Sequence, residues 1–210
     1  MSIRLQGQFL LVGATGTILS FLLIFLIPGP DGLTGPESIP TNVVFVISGL
    51  LLLVGLPALY RAQAKQIRRW GLVGVLLLWV AIVLVLLILS FVQILDIAVP
   101  GLIPHPGGDG PPPFALIPAI VGQVLILIGG VIVGITTIRA QIFPAALGWA
   151  MLITSVLVLL AAPLNNTGLP GMIVADSARA LVFAALAWAG ATLSFRGNPT
   201  QVSQSSVQRS

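Results

Sequence analysis

The chain has no cysteine and only one histidine in 210 residues. The first absence excludes disulfides, thiolate metal sites and thiol redox chemistry. The second leaves no imidazole to ligate a haem or chlorophyll among helices, and too few donors for a zinc site. The single His105 stands near Asp109 in a Pro- and Gly-crowded stretch, and two ligands do not define a metal centre. A Gly-x-Ser-x-Gly serine paired with a helical histidine, as intramembrane serine proteolysis needs, is also missing. No metal, no cofactor and no catalytic residue are therefore expected, and the chain does not read as an enzyme. Charge is equally sparse: nine Lys and Arg with five Asp and Glu make 7% of the chain, against about 25% in soluble domains.

What fills the chain instead is apolar. Mean hydropathy is +1.13, and six apolar runs cover about 9–27, 43–60, 70–94, 114–138, 142–162 and 173–195. A helix rises about 1.5 Å per residue, so runs of this length cross a hydrocarbon core of about 30 Å. Backbone groups in lipid must be satisfied within the segment, which makes each run a helix, and period-2 alternation is absent. The predicted fold is all-α: a polytopic membrane protein, six transmembrane helices in one bundle over residues 1–196, followed by a disordered polar tail over 197–210. The first run is longer than a signal-peptide core and has no small-residue cleavage site after it, so it reads as a retained span.

Orientation follows from where the charges fall. Arg4, Arg61, Lys65, Arg68, Arg69, Arg139, Arg196 and Arg209 lie at the termini or in alternate connections, while Asp31, Glu37, Asp96, Asp109 and Asp176 lie in or beside the others. Cytoplasmic loops accumulate Lys and Arg, which places both termini inside. The same basic residues border spans rather than forming a stripe with exposed aromatics, so the expected partners are membrane lipids with anionic headgroups, not nucleic acid. The external stretch 98–118 reads as a stiff spacer or docking surface. Asn165-Asn166-Thr167 has the form of a glycosylation sequon, relevant only in a eukaryotic secretory pathway. A weak internal repeat, Arg61-Ala62-Gln63 against Arg139-Ala140-Gln141, suggests that the second and third spans duplicate the fourth and fifth.

Lipid tails are as apolar as Leu, so helices associate where small residues let backbones approach. The candidates for packing are Gly13 and Gly16 in the first span, Gly130 and Gly134 (a strict Gly-x-x-x-Gly) in the fourth, and Ala180 and Ala184 with Gly190 in the sixth. These three spans are predicted to be in close contact, with the Leu-, Val- and Ile-rich third span at the periphery. Candidate polar or headgroup contacts are Gln123, Asp176 and Arg179; the last two are spaced i, i+3 and can pair. Thr154, Ser155, Thr17 and Ser20 read as hydroxyls bonding back to their own helices.

The segment Arg139-Ala140-Gln141 followed by Phe143-Pro144-Ala145-Ala146-Leu147-Gly148-Trp149 resembles a hairpin of small bacterial multi-pass membrane proteins, Arg-Ala-Gly-x-x-Pro-x-x-Leu-Gly-Trp. The resemblance covers this hairpin and implies a bacterial plasma (inner) membrane protein; it carries no catalytic residues, and Gln141 departs from the usual Gly. The leading functional expectation is a non-catalytic structural or accessory subunit that associates with another membrane protein or with itself. The alternative is a small-solute or lipid transporter or channel. A transporter is expected to bring Gln123, Thr154 and Ser155 together around a polar cavity; a subunit is expected to have a dry interior.

Overall fold

A computed structural model describes residues 1–26, 36–99, 101–103, 113–166 and 169–195. Asp31, His105, Asp109, Thr167, residues 100 and 104–112 of the stretch 98–118, and the tail 197–210 lie outside the described residues. The described chain is helical, with six helices long and apolar enough to span a membrane: Ile3–Ile24, Ile39–Ile67, Arg69–Ala98, Leu116–Ala140, Ala145–Leu164 and Pro170–Phe195.

The second span runs seven residues past its predicted end and carries Arg61 and Lys65 along its last turns. Arg, Lys, Gln and Ala are good helix formers, and long cationic stems reach out to the headgroup level, so polarity alone does not stop a helix. Pro57 interrupts this span. It has no N–H to offer the Leu53 carbonyl one turn back, and the Trp79 indole N–H of the third span donates to that oxygen instead, at 3.3 Å. A short π-helical stretch, Val83–Ile88, interrupts the third span, the Leu89 N–H reaching the Leu84 carbonyl five residues back.

Each span packs on the span before and after it in sequence, and the first closes on the sixth. The result is a ring of antiparallel neighbours, as short connections favour. This corrects the expected grouping of first, fourth and sixth spans: the first and sixth do pack together, but the fourth sits between the third and the fifth. Composition identifies close-packing residues without saying which neighbour each meets. The glycines show this well. A Cβ at Gly129 would lie 3.0 Å from the Leu78 nitrogen of the third span, whereas one at Gly134 would lie 2.8 Å from the Gly148 oxygen of the fifth. Nearby glycines on one helix thus serve two neighbours, and the third span, although less buried than the first, second, fifth and sixth, packs closely on the fourth.

At the end that carries the termini the ring is filled. Leu10, Leu52, Leu56, Leu78, Leu147, Met151 and Leu186 are each at most 2% exposed. Two side-chain bridges tie the same region: Arg61 Nη1 donates to Gln6 Oε1 at 3.2 Å, and Gln63 Nε2 donates to Thr137 Oγ1 at 3.1 Å. The second bridge breaks the proposed repeat. Gln63 is buried inside a helix that continues to Ile67, whereas its counterpart Gln141 is the residue at which the chain turns.

Gln141 has φ +52°, the left-handed region that glycine enters without penalty. This gives a physical reason for the glycine at the matching place in the hairpin pattern. Gln141→Gly is expected to raise stability by about 0.5–1 kcal/mol, read as a higher midpoint of thermal unfolding in detergent. An unchanged or lower midpoint would mean that the Gln side chain makes a compensating contact.

Candidate functional site

The end of the bundle opposite the termini is built differently. Five spans converge there on a cavity of about 240 Å³, and its lining mixes aromatic and aliphatic side chains with amides, hydroxyls and one ion pair. Phe21 and Phe45, both in its lining, meet edge to face with ring centroids 5.1 Å apart. The wall from the third span is Val85, Leu86, Leu89 and Ser90, at and just beyond the π-helical turn. Gln123 enters from the fourth span, Thr41 and Asn42 from the first turn of the second, and Asp176 and Arg179 from the sixth. The helix that carries the last two begins at Leu169. Asp176 therefore lies two turns in, about 10 Å along the axis at about 1.5 Å per residue.

The ion pair organises this space. Arg179 Nη1 donates to Asp176 Oδ1 across one helical turn, and the two side chains are 16% and 8% exposed. A lone carboxylate at such a depth is costly, and a guanidinium one turn away offsets that cost within the same helix. The pair leaves the cavity with both signs of charge and no net charge. Around it, Asn42 Nδ2 donates to the Ser38 carbonyl at 3.2 Å, which fixes the amide's orientation. Thr41 is not satisfied in this way. The residue is 2% exposed, and its hydroxyl has no hydrogen-bond partner among the described residues. A buried hydroxyl left unmatched costs about 1–3 kcal/mol, a cost that a hydrogen-bonding partner would relieve.

Of the residues singled out in the sequence, Gln123, Asp176 and Arg179 meet in this cavity. Thr154 and Ser155 do not, so the convergence of Gln123, Thr154 and Ser155 expected of a transporter is not formed; their hydroxyls donate to the Ala150 and Met151 carbonyls of their own helix, each at 2.7 Å. Ser155 also lies against Gly130, and a Cβ at Gly13 would fall 2.8 Å from the Ser48 carbonyl, with Gly16 facing the same serine. Gly13, Gly16, Gly130 and Gly134 therefore all face neighbouring spans of this chain. Ala180 is half-buried. Ala184 is a correction: it is exposed on the outer surface of the sixth span, where Gly190 makes the close approach instead.

Thr41, Asn42, Ser90 and the two phenylalanines were not legible as site residues. The apolar run begins at Val43, so the polar pair just before it reads as a flank. The available signal was a Thr-Asn pair directly after Pro40, a good first-turn residue, which places both side chains on the helix rather than in a loop. Among the described residues no group of three or more His, Cys, Asp or Glu side chains could hold a metal ion. None of the protein families, curated proteins or solved structures compared with the chain matches it, so the cavity is interpreted from its own geometry.

Proposed function

We propose that the chain is a non-catalytic protein of a bacterial plasma membrane, both termini inside, that binds a small zwitterionic solute in the outward cavity and carries it across. The observation that supports this most directly is the unmatched Thr41 hydroxyl in a cavity that also holds the Asp176–Arg179 pair. A zwitterion complements that lining: a cationic group near the carboxylate, an anionic group near the guanidinium, and an acceptor or donor for the hydroxyl. The volume suits it as well, since about 240 Å³ corresponds to roughly eight water molecules. The filled core at the opposite end favours a carrier that must rearrange over a channel open at rest.

The accessory-subunit reading rests on small-residue faces looking for a partner. The glycine faces are occupied within the ring, so a subunit role would have to use the lipid-facing surface, where Ala184 lies. The two readings separate in one experiment. Thermal unfolding of the detergent-purified protein is measured against a panel containing a zwitterionic amino acid, a betaine, a polyol, an organic anion and an organic cation. We expect only zwitterions to raise the midpoint, with Thr41→Val weakening the apparent affinity at least fivefold, and saturable uptake of the same solute into proteoliposomes. A midpoint insensitive to the whole panel, together with a stoichiometric protein retained through gentle extraction, would replace this proposal with the subunit.

A further inference from the structure

The opposite end of the molecule carries a second feature unrelated to the solute cavity. Where the chain passes from the second to the third span beside the fourth, on the outer surface of the ring, Gln66, Ile67, Trp70, Ile132, Ile135 and Arg139 line a groove of about 410 Å³. Its wall is apolar and its upper rim is not. Trp70 is 70% exposed and Ile135 38% exposed, so an indole face and a branched alkyl surface are both presented to whatever fills the groove. Arg139 stands one turn above Ile135 and makes no ion pair among the described residues. Lys65 and Arg69 are exposed on the neighbouring turns.

Charge makes the choice of occupant. Among the described residues no Asp or Glu lies at this end, so the positive field over the groove has no acidic side chain there to offset it. An anion is needed above and an apolar chain below, within one continuous surface. That is the shape of an anionic phospholipid, whose phosphate pairs with a guanidinium while the glycerol and first methylenes lie along Ile and Trp. A free phosphate has no use for the apolar wall, and a neutral lipid has none for the cations.

We propose that this groove is a specific inner-leaflet site for one anionic phospholipid, with Arg139 on the phosphate and Trp70 against the glycerol region. Binding is measured on the full chain in detergent by native mass spectrometry, using phosphatidylglycerol and phosphatidylcholine with identical palmitoyl and oleoyl chains, and soluble glycerol phosphate. We expect the first to bind at least tenfold more tightly than the second, and glycerol phosphate at millimolar concentration not to displace it. Arg139→Gln should reduce the preference to within about twofold. Ile135→Trp, which fills the groove and leaves every charge in place, should do the same. Equal binding of the two lipids overturns the proposal, as does displacement by glycerol phosphate. So does a preference lost in Arg139→Gln but intact in Ile135→Trp, since that pattern belongs to a diffuse basic surface and not to a groove. Solute binding in the other cavity should be unchanged in both variants, which keeps the two sites experimentally separate.

Discussion

Replacing Gly190 with Leu is expected to destabilise the bundle by about 3 kcal/mol or more, and with Ala by about 1 kcal/mol net. Gly190 is where the sixth span crosses the first and closes the ring. A Cβ there would lie 2.6 Å from the Leu11 nitrogen and 2.8 Å from the Gly7 oxygen, and both of those atoms belong to backbone. Backbone cannot rotate aside as a side-chain end can, so the two helices must separate, and overpacking of this kind costs about 1–3 kcal/mol. Alanine recovers part of that through its better helix propensity, about 1 kcal/mol at most. Leucine adds bulk with little further compensation. The comparison that isolates the mechanism is Ala184→Leu, less than two turns earlier on the exposed side of the same helix, where the change should stay within about 0.5 kcal/mol. Unfolding midpoints of the three variants in one detergent test this. Similar losses at positions 184 and 190 would mean that the first and sixth spans do not close against each other as described.

That closure also marks the boundary between what the sequence discloses and what it withholds. Six helices of the right length follow from apolar runs and the cost of unsatisfied backbone in lipid, because those constraints act on each segment alone. The same local logic finds Asp176, Arg179 and Gln123, since polar side chains within apolar runs are conspicuous one by one. Their convergence is a property of the ring. Gln123 and Asp176 come together with Thr41 only if the chain returns so that the sixth span lies against the first, and no pattern within a single span encodes that. The partners of the glycines were hidden for the same reason: Gly129 and Gly130 are adjacent in sequence yet serve different neighbours. Gln141 was the reverse case. Its departure from the glycine of the hairpin pattern was visible in the sequence, but the left-handed backbone that explains the pattern was not. The π-helical turn at Val83–Ile88 had no signature in a run of Val, Leu and Ile.

The second large effect concerns the ion pair, and it separates stability from binding. Arg179→Ala removes the guanidinium and leaves the buried Asp176 carboxylate without the partner on its own helix, a change expected to cost about 3–5 kcal/mol. Asp176→Asn should be milder, because the long Arg179 stem can carry its charge outward toward the interface. Removing both charges together, Asp176→Asn with Arg179→Gln, keeps much of the volume and replaces the charged pair with amides that can hydrogen-bond to each other. Its stability should return to within about 1 kcal/mol of the unmodified chain, since exchanging a buried pair for neutral groups is often close to neutral. The solute, however, should be lost: with neither charge present, the apparent affinity read from the zwitterion's midpoint shift should fall at least tenfold. A double variant as unstable as Arg179→Ala would mean that the two residues are not one energetic unit. A stable double variant that still binds the zwitterion would remove the electrostatic basis for placing it in this cavity, and with it the reason to read the bundle as a carrier.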